Sequence, residues 1–394
     1  MKIVVRSESS MCEKGMHVVQ IIDLLKFGGA QKLLVLLAAA LGQSDVRLTV
    51  VSLRDDLHLP IAHELRALGV RVVAMPLHGL KDLTTMMRLA RWIRRENVDL
   101  IHAHLTTANI VGGVVGRLTG VPVIASLHSS KDIKNSKVYR WVEGLALRYG
   151  MQRVIAVGQA VAQAHRARLK REPLIIPNGI ASLPVLTHEE RRAVRRELGV
   201  EDDQLLLIAV GRLSPEKGYD DLLTAFADVR QAYPQAVLAI VGAGSQQAHL
   251  EQRRQALGLT QAVRLTGGRS DVPRLLGASD LFVSAAHTEG LPVTLLEALS
   301  SGLPVVVTAV GDMPMVVNQE IGMVVPPRQP AQLASAICTL LGDDARRQQM
   351  GLRARSHVAQ HYSVERWCEQ LRAVYREVSK RPVALAHAHQ EVRS

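Results

Sequence analysis

Leu205-Leu206-Leu207-Ile208-Ala209-Val210-Gly211-Arg212-Leu213-Ser214-Pro215-Glu216-Lys217-Gly218 is an unbroken apolar run that empties into a loop carrying two glycines and two cations. A short apolar run closed by turn formers reads as a strand buried on both faces, followed by a loop into a helix. Strands of this kind belong to parallel sheets covered by helices, so the stretch sets the class as α/β. The same punctuation recurs on both sides of it. The first half gives strands at 17–22, 46–53, 70–75, 99–103, 122–127, 153–157 and 173–176. The second half continues with 236–241, 262–266, 280–284, 304–308 and 322–325, and helices at 330–341, 344–359 and 364–379 close the chain. Amphipathic segments separate the strands, and no solenoid period emerges.

At 394 residues the chain exceeds one ordinary core, so two domains are expected. Pro177-Asn178-Gly179, Pro184 and the charge-rich 189–197 stretch interrupt the alternation and place the boundary there. The expected division is an extension over 1–15, domains over 16–182 and 183–362, a last helix over 363–381 and a tail over 382–394. The first strand is read as 17–22 in preference to 2–5, and Met16 is a candidate start. The four arginines and three glutamates of 189–197 read as a solvated helix face laced by i, i+4 pairs.

A net charge of +12 predicts attraction to polyanions. Nucleic acid is not the expected partner, because three Phe, six Tyr and three Trp cannot supply stacking platforms among the basic residues. Anionic substrate phosphates or an anionic membrane surface fit better. Cys12, Cys338 and Cys368 are too few and too scattered for a disulfide framework or metal cluster, which points to a reducing, cytoplasmic compartment. The longest apolar run, Leu33 to Leu41, is half a membrane span and reads as a buried helix.

Ligands of open α/β sheets sit beyond the carboxyl ends of strands, where loops run into helix starts. Arg212 and Lys217 lie in such a loop, spaced so that both can reach one diphosphate, Arg as a fork and Lys as a point charge. Glu289-Gly290-Leu291-Pro292-Val293-Thr294-Leu295-Leu296-Glu297 gives a second: a turn, a helix start with unpaired amides, and carboxylates before and within the helix. Amides can hold phosphate while carboxylates accept from sugar hydroxyls, a pattern that fits a nucleotide-linked sugar. Gly28 and Gly29 follow the first strand and allow close approach of backbone to phosphate, although a plain helix-initiating turn explains them equally well. His102 and His104 flank a strand end without a third ligand, so no metal site is expected.

Together these loops resemble those of the retaining sugar-nucleotide glycosyltransferases of family 4, closely over 205–325 and more loosely over 16–180. The resemblance implies a GT-B fold, two Rossmann-like domains facing each other across a cleft, the first recognising the acceptor and the second binding the donor. It assigns Glu289 to the sugar hydroxyls, Glu297 to the ribose, and the backbone around Gly290, Leu291, Leu295 and Leu296 to sugar and phosphate. Arg212 and Lys217 would neutralise the departing diphosphate, Arg269 would lie near the base, Gly28 and Gly29 near the diphosphate and acceptor, and His128 would face the transferred sugar. His104 fits a structural or acceptor-side position. The implied chemistry needs no cofactor and no metal, and the acceptor would be a glycan or a lipid-linked sugar.

The chain departs from that family's pattern at Ala181, where Asp is usual, at Gly158, where Ser is usual, and at Asp312 and Met315, where Gly and Glu are usual. These departures bear on domain closure. A nucleotide-sugar epimerase of the same architecture and a non-catalytic sugar-nucleotide- or polyanion-binding scaffold are the alternatives. Basic residues gather in two first-domain segments, Lys81 with Arg88, Arg91, Arg94 and Arg95, and Lys131 to Arg153 after His128. Their expected partner is an anionic leaflet, placing the protein peripherally on the inner face of the plasma membrane.

Overall fold

The computed structural model describes residues 15–26, 28–42, 45–130 and 137–379. Residues 2–5, Cys12, Lys131, Lys134 and the 382–394 tail, all weighed above, lie outside the described residues. The chain opens with β1 (Met16–Ile22), α1 (Gly29–Leu41), β2 (Val46–Ser52), α2 (Pro60–Ala67), β3 (Arg71–Ala74) and α3 (Leu83–Arg95). It continues with β4 (Leu100–His104), α4 (Thr106–Thr119), β5 (Val123–Leu127), α5 (Lys137–Tyr149), β6 (Arg153–Ala156), α6 (Gln159–Leu169) and β7 (Leu174–Ile175). These strands form one parallel sheet ordered β3-β2-β1-β4-β5-β6-β7.

After α7 (His188–Glu197) come β8 (Leu205–Val210), α8 (Tyr219–Ala232), β9 (Ala236–Val241), α9 (Gln247–Ala256), β10 (Val263–Gly267) and α10 (Val272–Ala278). Then follow β11 (Leu281–Ser284), α11 (Val293–Ser300), β12 (Val305–Thr308), α12 (Met313–Val316), β13 (Gly322–Val325), α13 (Pro330–Leu341), α14 (Asp344–His361) and α15 (Val364–Val378). The second sheet is also parallel, ordered β10-β9-β8-β11-β12-β13.

Every residue of β1, β4, β5, β9 and β12 is buried, as expected of strands covered on both faces. Val, Ile, Leu and Ala build this core in place of aromatics. In each sheet the order reverses between the first strand laid down and its later neighbour, at β1/β4 and at β8/β11. Such a reversal opens a crevice between loops that leave in opposite directions. The loops after β1, β8 and β11, which carry the Gly28–Gly29, Arg212–Lys217 and Glu289 motifs, all start at these two reversals.

The closing helix α15 lies against α1, with Trp367, Leu371 and Tyr375 buried. Ser363 caps it, and Ile180 ties its start to the first domain, donating its N to Tyr362 O at 2.8 Å and accepting from Val364 N at 3.0 Å. α7 departs from its solvated reading. Arg195 is 3% exposed and, with Arg191, reaches Asp280 before β11, while Arg192 pairs with Asp202. The partners lie in other elements, so helical spacing could not reveal them.

Candidate donor site

The loop after β8 is pinned to the exit of β11. Gly218 holds φ +65°, and a Cβ there would stand 2.0 Å from Ala285 O, so the left-handed turn and the close approach both require glycine. His287 N donates to Glu216 O at 2.8 Å, and the His287 ring bonds Asp221 at 2.8 Å. This pinning brings the Lys217 ammonium onto the Glu289 carboxylate, both largely buried. Arg212 is mostly exposed and pairs with Glu216 at 2.8 Å. A small cavity beside the Lys217–Glu289 pair is lined by Thr294 and Leu295 at the start of α11.

α11 begins at Pro292 with no side-chain cap and no acidic residue in its first turn. Its free amides therefore keep their partial positive charge for an anion. Leu296 N is engaged by Pro292 O at 3.4 Å, which leaves Leu295 as the last unpaired amide, one residue short of the expected pair. Gly290 sits under His128, where a Cβ would come 2.7 Å from His128 O. Ser130 Oγ donates to Glu289 O at 2.8 Å, and Asn178 Nδ2 to Leu291 O at 3.2 Å. The first sheet thus holds the backbone on both sides of Gly290.

Glu297, one turn further into α11, is 1% exposed and faces Lys32 of α1. Burial pushes its carboxyl upward, and Lys32 opposes that shift. Gly29, at the start of α1, faces Val293 across the cleft, 3.6 Å from a built Cβ. Gly28 is extended and any residue could adopt its backbone, but a Cβ there would meet Gln31. Arg269 is not drawn into this group through its side chain. Asp271 at 2.7 Å and Glu197 at 2.6 Å hold its guanidinium.

Behind His128 runs a hydrogen-bonded cluster that strand patterning does not show. Gln20 Nε2 donates to Tyr375 Oη at 3.1 Å, so its Oε1 accepts from His104 Nε2 at 2.7 Å. His104 Nδ1 then accepts from His128 Nε2 at 3.1 Å. Tyr375 Oη lies 2.8 Å from His102 Nδ1, and His102 Nε2 lies 2.8 Å from Ser126 Oγ. Every imidazole in this scheme is neutral.

Burial lowers His102 to about 3 and His104 well below the ordinary histidine range, and half-buried His128 falls to about 4. The unfolded chain therefore takes up protons near pH 6.5 that the folded chain refuses, and stability falls as pH drops from there towards the folded values. Each refused proton removes up to about 1.4 kcal/mol per pH unit. Glu297 and Asp312, raised by burial, act in the opposite sense, so the test is a comparison of slopes. Urea unfolding between pH 7 and 5 is expected to show a flatter pH dependence for His104→Gln than for wild type. Parallel slopes would contradict the neutral cluster.

Two reversing parallel sheets whose facing loops carry these groups define the GT-B class of glycosyltransferase. Glycosyltransferase Family 4 matches residues 27–182 and Glycosyl transferases group 1 matches 190–357. The chain belongs to glycosyltransferase family 4. It is 28% identical over 270 residues to the Escherichia coli UDP-Gal:alpha-D-GlcNAc-diphosphoundecaprenol alpha-1,3-galactosyltransferase, covering 65% of this chain and 69% of that one. It is 31% identical to a D-inositol 3-phosphate glycosyltransferase of Geodermatophilus obscurus, over 70% of this chain and 66% of that one. The structure of Anabaena HepE in complex with UDP-glucose superposes with a TM-score of 0.82, at 24% identity over 92% of this chain and 100% of that one.

Lys32, Gln20 and Tyr375 touch the site or its supports and carried no signal of site contact in the sequence. Their partners come from distant elements, with 355 residues separating Gln20 from Tyr375.

Proposed function

We propose that the protein is a retaining hexosyltransferase that moves a sugar from a UDP- or GDP-sugar to a glycan or lipid-linked acceptor in polysaccharide or cell-envelope glycan synthesis. The observation that carries the reading is the Lys217–Glu289 pair beside the uncapped start of α11, at the β8/β11 reversal. The diphosphate lies between Lys217, Arg212 and the α11 amides, the sugar hydroxyls on Glu289, and the ribose on Glu297. As the anomeric C–O bond to phosphate breaks, charge grows on the diphosphate oxygen. Lys217 and the amides stabilise that charge more in the transition state than in the bound donor, which lowers the barrier. The acceptor oxygen attacks the same face that the phosphate leaves, and its proton passes to the departing diphosphate. In this reading the cations and the helix dipole carry the neutralising role, with no metal assigned to it.

Support for the donor class comes from the Anabaena neighbour, whose structure contains UDP-glucose, and support for a lipid-linked acceptor from the E. coli relative, whose name specifies a diphosphoundecaprenol. A nucleotide-sugar panel read by thermal shift tests the donor, since a ligand that binds only the folded chain raises its midpoint. A shift with one UDP- or GDP-sugar is expected, and no shift with any of them would overturn the reading.

The acceptor side of the reading includes an anionic leaflet. α3 buries Met86, Leu89, Ala90 and Ile93 as an ordinary docked helix and leaves Arg88, Arg91, Arg94 and Arg95 exposed. α5 exposes Val138, Trp141 and Leu145 beside Lys137 and Arg140, an apolar contribution that charge alone does not contain. No helix among the described residues is long and apolar enough to cross a membrane. Cosedimentation with phosphatidylglycerol vesicles is expected, and salt should release the protein as the screening length contracts from about 10 Å at 0.1 M to about 3 Å at 1 M. Binding indifferent to both lipid charge and salt would contradict it.

A further inference from the structure

Gly158 and Asp312 are two of the positions at which the chain departs from its family's usual residues, and the structure brings them into contact across the cleft. Gly158 is the N-cap of α6 and has no side chain to receive that helix's first amides. Asp312, in the loop between β12 and α12, takes that place. Its Oδ1 accepts from Ala160 N at 3.0 Å, while Oδ2 is buried against Gly158 with no hydrogen-bond partner among the described residues. A Cβ at residue 158 would stand 2.0 Å from Asp312 Oδ2, so the two side chains exclude each other. The Asp312 side of the contact is joined to the donor loop, because its backbone N donates to Gly290 O at 2.9 Å. The α6 side is joined to His128, because His165 of α6 bonds Ser129 O at 2.9 Å. Ser130 Oγ on Glu289 O closes the ring.

We propose that Asp312 caps α6 in trans and so acts as a positioning residue, latching the Glu289–Gly290 loop of the second domain against the His128 segment of the first. A carboxylate at a helix start satisfies amides and complements the helix dipole, and here both effects act only when the domains are together. The latch is a property of the fold, whereas its consequence for catalysis rests on the proposed donor role of Glu289.

The test is an exchange. Asp312→Gly removes the cap, and Gly158→Ser alone forces a side chain into the carboxylate. The double variant Gly158→Ser/Asp312→Gly restores a cap within α6. Scanning calorimetry of the full chain should show each single variant melting lower, by about 2 °C or more for the lost cap, with the double variant recovering most of the loss. Asp312→Asn, which keeps the accepting oxygen, should melt close to wild type. Small-angle scattering should show a larger radius of gyration for Asp312→Gly than for wild type or the double variant. Additive losses in the double variant, or an Asp312→Gly chain as compact and as stable as wild type, would overturn the latch. Both readouts are taken without nucleotide, so they stand whether or not the donor reading does.

Discussion

Lys217→Ala is expected to lower turnover about a hundred-fold at saturating donor, with the fold intact. The magnitude is that of removing one donor aimed at developing negative charge, about 3 kcal/mol of transition-state stabilisation. Lys217 suits the role because it is largely buried beside Glu289, where water screens it little. Arg212 is 67% exposed at its side chain and already paired with Glu216, so Arg212→Ala should cost less. Lys217→Arg should not restore turnover. A guanidinium spreads its charge over a rigid planar fork, which does not reproduce the compact point charge that the ammonium sets on Glu289. Circular dichroism and thermal melting check the fold, and steady-state release of nucleoside diphosphate checks the rate. Near-normal turnover in Lys217→Ala would remove this residue from the chemistry.

Asp280→Ala is expected to destabilise the second domain by about 3 kcal/mol, because taking one partner from a buried ion pair leaves the other charge uncompensated. Arg195 donates to Asp280 at 3.2 Å and to the carbonyls of Ala278 and Glu201, and it cannot reach water by a small movement. Asp280 also receives Arg191 at 2.6 Å and Leu206 N at 2.7 Å, so its loss frees three donors where β8 begins. The exposed Arg192–Asp202 pair provides the contrast, with both side chains more than half exposed. Breaking it should cost less than about 1 kcal/mol. Urea midpoints of the two variants decide the matter, and equal shifts would contradict the burial argument.

What could be read from the residues follows from the range of the interactions. β8 and β9 are continuous apolar runs, so local composition sufficed to place them at 205–210 and 236–241. The four-residue strand β3 and the two-residue strand β7 were expected slightly longer, because pairing at a sheet edge stops where the neighbour stops, which a sequence does not mark. The cations after β8 and the carboxylates around α11 were legible because each lies within one loop and helix start. Their pairings were not. Lys217 meets Glu289 from 72 residues away, and Lys32 meets Glu297 across the two sheets. Arg269 shows another limit, since a residue with a family position can have its side chain committed to carboxylates elsewhere, here Asp271 two residues on and Glu197 at the end of α7. Gly158 and Asp312 were visible as separate oddities, and only the structure shows that the Asp312 carboxylate fills the space a side chain at 158 would take.

The central claim is that the second domain holds a nucleotide sugar with its ribose on Glu297 and its sugar on Glu289. Calorimetric titration of UDP and of GDP into wild type, Glu297→Ala and Glu289→Ala tests it most directly. The account predicts that wild type binds one of the two and that Glu297→Ala weakens that binding about ten-fold or more, the worth of a hydrogen bond to a charged group. Glu289→Ala should leave it nearly unchanged, since a nucleoside diphosphate carries no sugar for Glu289 to hold. Equal losses in the two variants, or no binding of either nucleotide by the wild-type chain, would contradict the account.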